Sequence, residues 1–341
     1  MLLGYSSLYQ PDVSELALPG PAQARALLLA REPALIERLE AAGATVGADT
    51  RTLDAVLLGT ARLGLRHGSL GTDFHAYHNE IHVLEVGERR LSRMMADMGD
   101  AAPVPRDASA LLLFAACHDL RQREPVNLPG PVGGNEAASI AEAFRILDAC
   151  GFSREADKDQ YMALELMIAG STFDARPTPN ENAQAWQLHE IAGGALARGL
   201  ALWLDIESPR WRADPLARRG ERLARTAADL DTANVGEAFV LLCDTALRLC
   251  REREMRAGRS LADAASAAPS LDFLGRGQEG YFFELHRFNS REGERVFGAQ
   301  KLLNGPQVRS TTAALLNFFA SHPPANGAAV VAAFAELTGA E

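Results

Sequence analysis

Along most of the chain, apolar residues recur at intervals of three and four, the period of a helix with one buried face. The stretch PAQARALLLAREPALIERLEAAGATV, 21–46, has this period and is interrupted at Pro33. Comparable stretches follow at 50–66, 76–98, 107–120, 135–149, 155–170, 184–205, 213–228, 233–257, 277–301, 309–321 and 327–338. Between them, residues 1–20 carry breaks at Pro11 and Pro19, RQREPVNLPGPVGG at 121–134 is rich in proline and glycine, and 171–183 looks like a loop. No run alternates apolar with polar residues as a half-buried strand would, and no internal repeat is visible. The pattern predicts an all-α fold: a lead-in over 1–49, then one compact unit over 50–341.

The 341 residues are 47% hydrophobic, enough for a sizeable core, and only 6% aromatic. A net charge of −10 argues against an extended nucleic-acid footprint. A small anionic substrate stays open, because a bound cation can outweigh the global charge locally. No window approaches the ~18 apolar residues of a membrane span. The start, MLLGYSSLYQPDVSE, lacks the basic segment and apolar run of a secretory signal. Cys117, Cys150, Cys243 and Cys250 form no CxxC pair and suggest no disulfide framework. The expected setting is a reducing cytoplasm.

Chemistry concentrates in three places. His75, His78 and His82 fall within DFHAYHNEIHVLEV; on a helix, 78 and 82 share a face. His118-Asp119 ends the apolar run FAACHDL, where a carboxylate needs a partner or a metal. TAADLDTAN carries Asp229. Imidazole and carboxylate together suit zinc, manganese or iron. Each element also has an ordinary explanation, such as Asp229 capping a helix. Asp244, on the apolar stretch FVLLCDTALRLC, competes with Asp229 as a ligand, or it pairs with Arg248 one helical turn on.

In order, these elements resemble the catalytic domain of class I cyclic-nucleotide phosphodiesterases, within the HD-type metal-dependent phosphohydrolases. Tyr77-His78-Asn79-Glu80-Ile81-His82 resembles the family's Tyr-His-Asn-x-x-His. His118-Asp119 stands where the family has its His-Asp pair, and Ala228-Asp229-Leu230 resembles its Ala-Asp-Leu. Gly277-Gln278-Glu279-Gly280-Tyr281 resembles the segment with its purine-binding glutamine and aromatic clamp. The resemblance covers about 65–300 and implies an HD/phosphodiesterase-like helical domain. It implies His82, His118, Asp119 and Asp229 as ligands of a first ion, Zn²⁺ or else Mn²⁺ or Fe²⁺. A second ion, Mg²⁺ or Mn²⁺, would be bridged by Asp119 and held largely through water. His78 would be the general acid, Glu136 a water-orienting carboxylate, Gln278 the base-binding amide and Tyr281 the stacking ring, with Tyr77 beside the substrate. The implied reaction is hydrolysis of a 3′,5′-cyclic nucleotide, cAMP or cGMP, to the 5′-monophosphate. The partner is then a small nucleotide, with no nucleic acid and no membrane.

The chain departs from the family at several points. Gln122 stands where the family has a further histidine, and Ala137 and Ala138 replace paired histidines. Gly170-Ser171 replaces Thr-Asp, and Thr232 replaces an asparagine. The second-metal water network is therefore expected to differ. Two alternatives follow: another HD-type nucleotide phosphohydrolase, which keeps the ligands but not the use of Gln278, or a catalytically weak nucleotide-binding protein.

Overall fold

Helix starts in this chain follow local chemistry. The computed structural model describes residues 2–5, 9–10, 20–124, 130–174 and 194–340. Pro21 and Pro33 open α1 (Pro21–Arg31) and α2 (Pro33–Val46), since a first-turn proline gives up only an N–H that has no intrahelical partner. Asp49 caps α3 (Thr50–His67), accepting from the Thr52 N–H at 2.8 Å. Asn79 caps α4 (Glu80–Leu84), accepting from the Ile81 N–H at 2.9 Å. The helix expected over 76–98 therefore begins later, and His78 lies in the turn ahead of it rather than on it.

From α4 the chain passes through a π-helical stretch, Glu85–Arg90, into α5 (Leu91–Met98). There Gly87 lies against α6 (Pro105–Cys117): a β-carbon at Gly87 would come within 2.8 Å of Leu112 Cδ1 and 3.3 Å of Ala115 Cβ. Every residue of α6 from Ala108 to Cys117 is buried, so this helix can be apolar on all sides. α7 (Gly134–Ala149) and α8 (Lys158–Ser171) follow. A two-residue antiparallel pairing, β1 (Phe173–Asp174) with β2 (Gly194–Ala195), is the only strand structure among the described residues. Then come α9 (Leu200–Glu207) and α10 (Pro215–Asp231), which packs along α8. Between α3 and α7, Arg62 and Arg145 both reach the fully buried Glu142, so its charge is paired.

The fold is all-α, as the periodicity predicts. Its contacts cluster into two compact units. Unit 1 is residues 1–74, 78–231 and 289–293; unit 2 is 75–77, 232–288 and 294–341. The stretch 1–49 is no separate lead-in: α1 and α2 belong to unit 1, α1 packs on α3, and the main division falls after Asp231.

Unit 2 holds α11 (Phe239–Arg256), α12 (Ala267–Asp272), a stretch of tight and wide turns over 273–285 that includes α13 (Gln278–Gly280), most of α14 (Arg291–Ser321), and α15 (Gly327–Thr338). Its core gathers Leu247, Leu274, Leu315, Val330 and Phe334. The helix expected over 277–301 is broken at 286–290, and the two helices expected over 277–301 and 309–321 share α14, which runs through Pro306. All four cysteines are buried and unpaired. Among the described residues no helix is long and apolar enough to cross a membrane. Pro11, Pro19, residues 125–129, His189 and most of the expected 171–183 loop and of the first half of the 184–205 helix lie outside the described residues.

Candidate metal centre

Three elements of unit 1 converge on one point. α4 presents His82, the end of α6 presents His118 and Asp119, and α10 ends on Asp231. His82 Nε2 lies 3.0 Å from Asp231 Oδ1 and 3.7 Å from Asp119 Oδ2. His118 Nε2 lies 3.0 Å from Asp119 Oδ2 and 3.5 Å from Asp231 Oδ1. Donor atoms bound at about 2.1 Å to one ion stand roughly 3.0–3.5 Å apart; His82, His118 and Asp231 form a cluster that could hold a metal ion, with Asp119 beside it. Both histidines are buried, and the carboxylates keep 14% and 19% exposure.

The tautomers agree with that use. His118 Nδ1 donates to the Phe114 carbonyl at 3.1 Å, and His82 Nδ1 donates to Glu85 Oε2 at 3.2 Å. Each ring thereby leaves Nε2 facing the carboxylates. His118 Nε2 and Asp119 Oδ2 are both buried and, though close, make no hydrogen bond. Two converging lone pairs repel unless a cation or a proton lies between them. The electrostatics say the same. Burial disfavours the charged form of His118, yet Asp119 and Asp231 hold its pKa well above the ordinary imidazole value. Burial likewise opposes ionisation of Asp119, but His118, His78 and His82 bring it down to about 2. Asp231, also opposed by burial, is held far below the usual carboxylate range by His118 and His82. Imidazole and carboxylate donors gathered in this way could hold a metal ion.

Neighbouring side chains fix these ligands. The fully buried Arg90 donates to the carbonyls of Leu230 at 3.0 Å and Asp231 at 2.7 Å. It thus ties the His82 helix to the end of α10. Gln122 Nε2 donates to Asp119 Oδ1 at 3.3 Å, and Asn135 donates to Gln122 Oε1 at 3.1 Å. The neutral residue at 122 therefore orients Asp119. Ala137 and Ala138 are wholly buried in α7.

Asp229 does not belong to this centre. Its carboxylate accepts from the Asn289 N–H (2.7 Å) and side-chain amide (2.8 Å), and from the Ser290 N–H (2.8 Å) and hydroxyl (2.6 Å). Burial raises its pKa to about 6 against those bonds. Residues two apart on a helix point roughly 200° apart, so Asp229 and Asp231 cannot serve the same site. The structure thus places Asp231, and not the Asp229 of the Ala-Asp-Leu resemblance, beside His82 and His118. A sequence signal did exist: Asp231 is an acid in the last turn of a helix, where the helix dipole disfavours negative charge unless a cation compensates. Asp244 pairs with Arg248 at 3.0 Å, its ordinary alternative.

Of the other expected site residues, His78 stands beside the centre, its ring 6.3 Å from that of His82 and edge-on to it. Its charge acts on Asp119 and on Glu136. Glu136, in the first turn of α7, has its pKa raised by burial and by Asp119 and Asp231, while its own backbone N–H lowers it. The residues expected to bind a base lie in unit 2. Tyr77 is buried, its N–H donating to Glu252 at 2.9 Å. Tyr281 packs with Val235, Leu242 and Val308, its hydroxyl 3.4 Å from Asn234 Oδ1. Gln278 borders a gap of about 20 Å³ lined by Leu242, Leu274 and Phe334, far below the ~300 Å³ of a small-ligand pocket. Glu85 and Arg90 are polar groups at this cluster that the motifs do not name; Glu85 meets His82 three residues away, whereas Arg90 reaches the end of α10. Comparison of the chain with protein-family models and with curated proteins finds no match.

Proposed function

We propose that the protein is a metal-dependent phosphohydrolase whose cation is held by His82, His118, Asp119 and Asp231. The observation that supports this most is that His82 and His118 each bring Nε2 within 3.0–3.7 Å of both the Asp119 and the Asp231 carboxylates. A bound divalent cation supplies Lewis acidity at a phosphoryl oxygen and eases deprotonation of a water. The chain's own groups do the rest. Glu136 hydrogen-bonds and orients the attacking water. His78, beside the ligands and outside their set, gives a proton to the leaving oxygen. For a 3′,5′-cyclic nucleotide, water oxygen bonds to phosphorus and keeps one proton while the other passes to solvent, the P–O3′ bond breaks, and O3′ takes the His78 proton.

The cyclic-nucleotide assignment rests on the Tyr77-to-His82 resemblance. The small apolar gap beside Gln278 favours a second reading, a phosphohydrolase for another nucleotide or phosphate ester that does not use a base clamp there. The donor set supports one ion directly. A second would compete with Gln122 for Asp119 Oδ1.

The test is hydrolysis of cAMP, cGMP, linear nucleotides and bis-p-nitrophenyl phosphate by protein loaded with Zn²⁺, Mn²⁺ or Mg²⁺. His78→Ala should keep the metal and slow cyclic-nucleotide turnover by roughly 10²–10⁴, the usual contribution of a positioned acid. The nitrophenyl ester, whose leaving group needs little protonation, should lose much less. Hydrolysis of none of these by metal-replete protein would overturn the proposal. Binding of a cyclic nucleotide without turnover would leave a nucleotide-binding protein in its place.

A further inference from the structure

Unit 2 contains a groove that the proposed chemistry does not use. Its volume is about 450 Å³, within the ~300–1,000 Å³ of small-molecule sites. One side is a face of α14, where Gly298 and Gly305 lie two turns apart, the first beneath the Glu294 side chain and the second against the Phe283 ring. The opposite side comes from the 282–288 segment, with Phe282, Phe283 and Phe288.

Three cations line the same groove. Lys301 Nζ donates to the His286 carbonyl and to His286 Nδ1, both at 2.9 Å, and stands 5.3 Å from the Phe282 ring centre and 5.9 Å from that of Phe288. The Arg309 guanidinium lies 4.1 Å over the Phe283 ring. Arg287 is held by the carbonyls of Phe283 and His286, both at 2.8 Å. Glu294 is the one acid among the lining residues. Glu294 acts on Lys301 as its counter-charge and leaves the three cations in excess, in a chain whose net charge is −10. Burial and Arg287 lower the Lys301 pKa to about 8, which a bound anion would reverse.

We infer that this groove binds a phosphate monoester bearing a planar ring, of which a nucleoside monophosphate is the natural representative. Three cations against one acid leave two positive charges, which match a phosphate dianion better than a carboxylate monoanion. Phenylalanine walls suit a flat ring, and the open groove does not enclose an acyl chain. The inference does not depend on the metal centre, so either can fail without the other.

The experiment is calorimetric titration of AMP, adenosine and inorganic phosphate into the full-length protein, into Lys301→Glu and Arg309→Glu, and into His118→Ala. Folding of each variant is checked by circular dichroism. AMP should bind at least tenfold more tightly than adenosine or phosphate alone. Lys301→Glu and Arg309→Glu should each weaken AMP at least tenfold, and His118→Ala should leave it within twofold. Arg309 is exposed, so its variant keeps the test decisive if Lys301→Glu fails to fold. Absence of AMP binding, equal affinity for phosphate alone, or loss in His118→Ala with no change in Arg309→Glu would each overturn the inference.

Discussion

Replacing each aspartate at the end of α10 by asparagine separates the proposed metal ligand from a structural acceptor. Asp231→Asn removes a carboxylate oxygen 3.0 Å from His82 Nε2 and 3.5 Å from His118 Nε2. Loss of a residue that merely supports a ligand costs about 10–100-fold in metal affinity, so loss of a ligand should exceed about 100-fold. Asp229→Asn acts differently. Its carboxylate accepts four hydrogen bonds on two oxygens; an amide keeps one oxygen and turns an NH₂ towards two donors. Two charged hydrogen bonds are lost, at about 1.5–3 kcal/mol each, or about 3–6 kcal/mol together. At roughly 2–4 °C per kcal/mol for a unit of this size, Tm should fall by some 6 °C or more, while metal affinity stays near wild type. The assays are elemental analysis after dialysis against a zinc buffer, and calorimetric melting. If Asp229→Asn lost the metal and Asp231→Asn kept it, the assignment of the fourth ligand would be refuted.

Three further outcomes are expected. Glu85→Gln should retain the metal but bind it about 10–100-fold more weakly, because Gln holds the His82 Nδ1 proton less well; a chelator competition titration measures this, and an unchanged affinity would remove Glu85 from the site. In metal-free protein, the raised His118 pKa means that the folded state holds this proton more tightly than the unfolded chain. Its stabilisation is complete below the ordinary imidazole pKa and is lost as pH rises through the raised one. Metal-free protein should therefore lose stability across that alkaline range and metal-loaded protein should not; parallel melting profiles with and without metal would contradict it. Gly87→Ala should cost about 1–3 kcal/mol by overpacking, since the new β-carbon meets Leu112 Cδ1 at 2.8 Å; a neutral change in chemical denaturation would show that the π-helical stretch yields easily.

The all-α class and most helix positions were legible in the chain, because a 3.6-residue period and proline, Asp and Asn starts act locally. Pro33, Pro105, Asp49 and Asn326 all sit where a helix begins. That His82 and His118 carry chemistry is legible for a related reason, since polar groups in an apolar run need partners, and the structure brings them together with Asp231 in a cluster that could hold a cation. What periodicity could not supply was which face of α10 meets them. Asp229 and Asp231 differ by two residues, and only the packing of α10 beside α8, with Arg90 on its last carbonyls, turns Asp231 inward. The break at 286–290 is hidden likewise, because the carboxylate that binds Asn289 there lies 60 residues earlier in the chain. Gln278 and Tyr281 matched a motif, yet their surroundings are set by the core of unit 2. Local sequence determines elements because their hydrogen bonds close within a few residues. A site is assembled from residues that meet only after packing has chosen the faces, and that choice belongs to the tertiary structure.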